Sequence, residues 1–134
     1  MNRMDLEAEY CGGQLPIPVE SLYGNTEYSR PDFNKYDSPN AFWELTDEQQ
    51  SALVEWCQQL GKRKTIYHGR TSYGLKHLFE RNGFYVYNGA FKGAMLLAGF
   101  RVAGLEYADW WFNVSERSVK EVIRREFRED VWQQ

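Results

Sequence analysis

Cysteine is scarce in this 134-residue chain: Cys11 and Cys57 are the two present, and neither belongs to a CxxC or Cys/His spacing. That excludes a disulfide framework and argues against a zinc site. Cys57 beside Trp56 reads as a small core hydrophobe, and a bridge to Cys11 does not suit a reducing compartment. Proline is equally sparse, with four residues at 16, 18, 31 and 39. No run approaches the roughly 18 apolar residues of a membrane span. The opening MNRMDLEAEY lacks the apolar stretch of a secretory signal, so the expected location is cytoplasmic. Catalytic signatures are missing across classes: no GxSxG, no P-loop, no HExxH and no kinase motif. No carboxylate pair stands out from the acidic background. The expectation is a non-enzyme with no metal and no cofactor.

What is present is a folding composition. Apolar residues make up 43% and aromatics 16%, more than a disordered chain carries, and the length suffices for one core without staples. The net charge of −3 conceals an asymmetry. Residues 1–60 hold three bases and eleven acids, a balance of −8, and residues 61–134 hold thirteen bases and eight acids, a balance of +5. The basic surplus is concentrated between Lys62 and Arg101, where eight Lys or Arg face a single acid, Glu80. Such asymmetry points to a polyanionic partner for the basic half or to mutual neutralisation inside one fold.

From Cys11 to Asn40 the prolines and the Gly, Asn and Ser content predict an irregular arm. Its aromatics, Tyr23, Tyr28, Phe33, Tyr36 and Phe42 among them, suggest packing on the domain or on a partner. A first helix opens at Thr46, whose spacing to Gln49 is a capping box, and Ala52, Leu53, Trp56, Cys57 and Leu60 form its apolar stripe before Gly61. Thr65-Ile66-Tyr67 is β-prone. A second helix spans about Tyr73–Arg81 with Ser72 as cap and Gly83 as left-handed terminus, leaving Lys76, His77 and Arg81 to solvent. Phe84-Tyr85-Val86-Tyr87 reads as a strand or a buried connection. A third helix, about Gly89–Ala98 with Asn88 as cap and Gly99 as terminus, buries Phe91, Ala94, Met95 and Ala98 and leaves Ala90, Lys92, Gly93 and Leu97 on other faces. A β-hairpin through Gly104 joins Phe100-Arg101-Val102 to Trp110–Val114. A last helix runs from Glu116 to about Val131 behind Ser115, with Val119, Val122, Ile123 and Phe127 inward.

Helix, helix, helix, hairpin, helix is the order of a winged helix-turn-helix, with the third helix as recognition element and residues 103–109 as wing. The expected class is α+β: an irregular acidic N-terminal arm over 1–44 and a winged-helix-like domain over 45–134. The run from Phe91 through Ala98-Gly99-Phe100-Arg101-Val102 to Trp111-Phe112-Asn113-Val114 is similar to the recognition helix and wing of C-terminal winged domains in phage primase-like proteins. Thr71-Ser72-Tyr73-Gly74-Leu75-Lys76-His77, Tyr87-Asn88-Gly89-Ala90-Phe91, Ala98-Gly99-Phe100 and Phe112-Asn113-Val114-Ser115 resemble small, mostly uncharacterised proteins of phages and integrative elements. That resemblance implies a mobile-element setting inside a bacterial host cell and no particular mechanism.

The candidate binding residues are Arg70, Tyr73, Lys76, Arg81, Asn88, Lys92 and Arg101. On one surface the cations would neutralise phosphates, and the tyrosines would bond phosphate or stack on bases. The third helix offers little for base readout beyond Asn88 and Lys92. The expected partner is therefore a DNA or RNA backbone, or a bacterial nucleic-acid-binding complex, as for a regulator or an anti-CRISPR-type inhibitor. A homodimer is compatible. Arg117, Lys120, Arg124 and Arg128 form a stripe that reads as a solvated face laced with i,i+4 pairs. The acidic front suits either solubility and internal pairing or occupation of a basic channel on another protein. His68-Gly69 resembles the strand-terminal His-Gly of ADP-ribosyltransferases, which implies a nicotinamide cofactor and a distal catalytic glutamate. The acids available, Glu116, Glu121, Glu126 and Glu129, fall on a helix instead.

Overall fold

Caps and glycines set the first turns of the chain. In this computed structural model, which describes residues 3–18 and 28–133, with side chains of the last helix through Phe127, Asp5 accepts from the Ala8 N–H (3.2 Å) to open α1 (Leu6–Cys11). α2 (Arg30–Tyr36) and a 3-10 helix (Pro39–Glu44) follow. Among its described residues the arm is thus helical in three places, while 12–18 and 28–29, with the short link from α2 to the 3-10 helix, remain irregular. Pro31 lies in the first turn of α2 and Pro39 begins the 3-10 helix, positions whose N–H has no intrahelical acceptor, so proline starts these helices instead of preventing them. Nor does residue 44 divide the protein. Leu6, Leu15, Phe33, Phe42 and Trp43 belong to the same buried cluster as Leu53, Phe91 and Phe112. Tyr23 lies outside the described residues.

α3 (Asp47–Gln58) carries the expected capping box: Thr46 Oγ1 accepts from Gln49 N–H and Gln49 Oε1 from Thr46 N–H. Leu53, Trp56, Cys57 and Leu60 are buried, whereas Ala52 is exposed. β1 (Lys62–Tyr67) begins at the basic triplet itself. α4 (Ser72–Glu80) is capped by Thr71, not Ser72; the Ser72 hydroxyl turns inward and accepts from Trp110 N–H at 3.0 Å. Among the described residues the left-handed glycines are Gly12, Gly13, Gly99 and Gly104, and Gly83 is not one of them. The connection to the next helix is extended and buries Val86.

α5 (Asn88–Leu97) is the central element, followed by β2 (Val102–Ala103), β3 (Trp111–Val114) and α6 (Glu116–Gln133). Every residue from Asn88 to Leu96 is buried. A Cβ at Gly89 would fall under 3.0 Å from the backbone of Asp37 and Ser38, and one at Gly93 under 3.0 Å from the Pro39 carbonyl and Phe42. The small residues of α5 therefore admit the 3-10 helix to its backbone. A recognition helix needs a face for the groove, and α5 has none. The sheet order is β1-β3-β2, antiparallel throughout. The hairpin forms as expected around Gly104, and β1 adds a third, edge strand. Val119 and Val122 of α6 are buried, but Phe127 is 60% exposed, so the apolar stripe ends a turn earlier than its sequence suggests. The class is α+β.

Candidate nucleic-acid interface

The seven candidate residues do not share a face. Lys92 is wholly buried: its ammonium donates to the Asp37 carbonyl (3.1 Å), lies 3.8 Å from Asp37 Oδ1 and sits 4.4 Å from the centroid of the Trp110 ring. Burial pulls its pKa down to about 8 against the opposing pull of Asp37. Asn88 is buried too, its amide donating to the Ala108 carbonyl and to Asp109 Oδ1, each at 3.0 Å. These contacts fasten the loop before β3 to the start of α5. Neither residue reaches a ligand at the surface.

Lys76, expected in solvent, is buried against Glu80 one turn on (3.0 Å), with its ammonium 4.9 Å from the Tyr85 ring centroid. Arg70 makes two parallel bonds to Glu116, at 2.7 and 2.8 Å. The Arg70 guanidinium holds the Glu116 carboxyl below its ordinary range, helped by Tyr67. Tyr73, Arg81 and Arg101 remain exposed. Tyr73 places its ring edge-on to His77 (4.3 Å), and Arg81 follows the C-terminal end of α4, so these two belong to one helix and Arg101 to the sheet.

The sheet brings together a different set. Phe112 and Val114 are buried beneath it, and the alternation of a strand puts Trp111 and Asn113 on the other face. Asn113 Oδ1 accepts from the Arg101 N–H (2.8 Å), and its Nδ2 donates to the Arg63 carbonyl (2.9 Å). One side chain thus ties both neighbours to the central strand and sets Arg63 and Arg101 on either side of it. Arg63 donates to Thr65 Oγ1 (2.8 Å) and lies 5.4 Å from the Tyr67 ring. Farther along the face, His68 and Tyr107 flank Trp111 with ring centroids 4.9 and 5.8 Å away. His68 and Tyr107 are exposed and Trp111 half-buried. At the edge, Lys62 extends over Phe100 (4.5 Å), and Lys64 is exposed. Among the described residues, none of Lys62, Arg63, Lys64 and Arg101 forms an ion pair within 4.0 Å.

In sequence the triplet 62–64 stands out only as part of the basic surplus, and Trp111 only as part of the hairpin that the resemblance makes a wing. The usable signal was a basic triplet running directly into Thr65-Ile66-Tyr67, a pattern for an edge strand whose outer side must stay charged. A concavity of about 640 Å³ lies between α2, the 3-10 helix and the segment before α5, lined by Pro31, Lys35, Leu45, Tyr85 and Tyr87. Cys11 and Cys57 are buried free thiols. Burial raises the Cys11 pKa to about 11 and that of Cys57 further, so neither is a thiolate at neutral pH. Among the described residues no cluster of His, Cys, Asp or Glu is placed to hold a metal ion, and no helix is long and apolar enough to cross a membrane. Comparison with protein-family models, with curated proteins and with solved structures finds no match, so function must be argued from these residues.

Proposed function

We propose that this protein binds the phosphate backbone of nucleic acid through the outer face and edge of its sheet, without catalysis. The observation that carries this is the convergence of Lys62, Arg63, Lys64 and Arg101 on one small sheet with no acid among the described residues paired to them. Cations held this way gain by neutralising phosphates and releasing counterions. A winged helix-turn-helix reading of residues 45–134 would rest on the order α3, α4, α5, β2, β3, α6, with β2–β3 as its wing. Base reading by α5 is no part of the proposal. In the mobile-element setting implied by the sequence resemblance, backbone binding in the host cytoplasm serves a regulator or an inhibitor of a host nucleic-acid machine.

Titration of labelled oligonucleotides at low and moderate salt tests this. Affinity should fall steeply with salt, and Arg63→Glu with Arg101→Glu should weaken it and flatten the salt dependence. No binding at low salt would end the reading. A second reading, capture of a host protein, is favoured by the groove beside Tyr85 and Tyr87; Tyr85→Arg should then abolish capture of a purified host complex while leaving oligonucleotide binding intact. Group transfer is disfavoured because both carboxylate oxygens of Glu116 are engaged by Arg70. Incubation with labelled nicotinamide cofactor should accordingly label nothing.

A further inference from the structure

We infer that the nucleic acid taken by this face is single-stranded, its bases stacking on His68 and Tyr107 beside Trp111 while Arg63 and Arg101 hold its phosphates. The inference rests on the phosphate-binding reading above and adds the state of the strand. Phosphate contacts alone need cations, and a paired duplex offers no base faces to a ring. Yet this face spends exposed area on aromatic rings: Tyr107 is 54% exposed and His68 is exposed. An exposed aromatic cluster beside unpaired cations is the combination that backbone-tracking, base-stacking proteins use.

The rings are also held in place. Gly104 packs so closely on the Trp111 indole that a Cβ there would lie 2.8 Å from a ring carbon. Tyr107 meets the same indole at 72° and His68 at 55°. Trp111 is the floor against which both outer rings pack. Across the sheet, Arg63 on β1 and Arg101 before β2 flank β3, two interstrand spacings or about 10 Å apart. A strand passing over β3 meets a cation on each side and rings toward the hairpin loop.

Duplex recognition is poorly served by the same structure. Major-groove readers insert a helix or a two-stranded ribbon. α5 is buried, and β2 has two residues, too short for a ribbon to lie in a groove. DNA and RNA share the chemistry used here, so the probes must include both.

The test is anisotropy titration of the whole protein with labelled oligothymidylate, oligouridylate and a duplex of equal length, each about 12 nucleotides, within the span of one such platform. Both single strands should bind about tenfold more tightly than the duplex. Tyr107→Ala and His68→Ala should each weaken single-strand binding about tenfold with the salt slope unchanged, and Tyr107→Phe, which keeps the ring, should restore it. Tyr107 and His68 are exposed, and an unchanged circular dichroism spectrum would verify that the variants fold. Equal affinity for duplex and single strand, or equal losses on both from Tyr107→Ala, would overturn the stacking inference and leave the phosphate reading standing. Absence of salt-sensitive binding to any probe would overturn both.

Discussion

Lys92 joins three costly things in one residue: a positive charge, complete burial, and a partner, Asp37, whose backbone carbonyl lies closer to the ammonium than its carboxylate Oδ1 does. Its neighbours include Asp37, Asp109 and Cys11, with the Trp110 ring against the ammonium. Asp37 Oδ1 has no hydrogen-bond partner, although Tyr28 donates to its other oxygen. With a folded pKa of about 8 against an ordinary lysine value of 10.5, the unfolded chain binds more protons than the native one between those limits. Stability attributable to Lys92 therefore rises with pH in that window. Cys11 and Cys57, both raised by burial, act in the opposite sense as the pH approaches 9, where the unfolded thiols ionise first. Between pH 8 and 9 the lysine contributes a gain of about 1 kcal/mol that the two thiols partly offset, and urea unfolding should show that gain as the difference from a variant without the lysine. Lys92→Met should remove that gain and cost about 3 kcal/mol at pH 7, because Asp37 is left buried and unpaired. Adding Asp37→Asn should recover most of the loss. If the single variant keeps the pH 8–9 rise, another group titrates there. Lys92 was legible only as a conflict, one charge in a helix otherwise made of Asn, Gly, Ala, Met, Leu and Phe. Reading its charge as exposed was the less physical choice.

At the scale of elements, what the sequence disclosed was local chemistry. The capping box at Thr46 and the hairpin about Gly104 depend on residues a few positions apart, and both form as expected. The role of α5 depends on contacts with residues some fifty positions earlier, Asp37 to Phe42, and periodicity carries no trace of them. Proline misled for the same reason: its meaning changes with its place in a helix, and that place is fixed by packing. The candidate site failed likewise. Lys76 and Arg70 carry charge in sequence, but Glu80 and Glu116 consume it in space. Glycine substitutions separate these levels. Gly93→Ala forces a methyl into the Pro39 carbonyl, which is backbone and cannot rotate away. It should cost about 3 kcal/mol, the upper range for overpacking. Gly74→Ala, at an exposed position of α4 with Thr71 Oγ1 at an ordinary 3.7 Å, should instead stabilise by about 0.5–1 kcal/mol through helix propensity. Chemical denaturation of the two variants checks the opposite signs. A neutral Gly93→Ala would mean that the 3-10 helix is free to shift.

For the molecule as a whole, the opposed charges of its two halves raised a choice between mutual neutralisation and an external polyanion. The ion pairs speak to it. Among the described residues, Arg3–Glu44 and Arg30–Glu7 stay within the front half, Arg70–Glu116, Lys76–Glu80 and Arg124–Glu121 stay within the back half, and Lys92–Asp37 crosses between them. The surplus at Lys62–Lys64 and Arg101 is not spent on the acidic front, so the front's chief contribution to the fold is apolar. Leu6, Leu15, Phe33, Phe42 and Trp43 are each at most 5% exposed. At about 2 kcal/mol apiece their burial supplies on the order of 10 kcal/mol, as much as the whole net stability of an ordinary domain. A chain of residues 45–134 alone would also leave the Gly89–Gly93 face of α5 open to water. It should lack a cooperative unfolding transition and bind a hydrophobic dye, while the full chain melts sharply. A truncated chain with a cooperative melt near that of the full protein would mean that residues 45–134 are a domain in their own right and that the first 44 merely decorate it. Mixing the 45–134 piece with a separate 1–44 peptide distinguishes the remaining case, since recovery of the transition on mixing would place the missing stability in the contacts of α1, α2 and the 3-10 helix with α5.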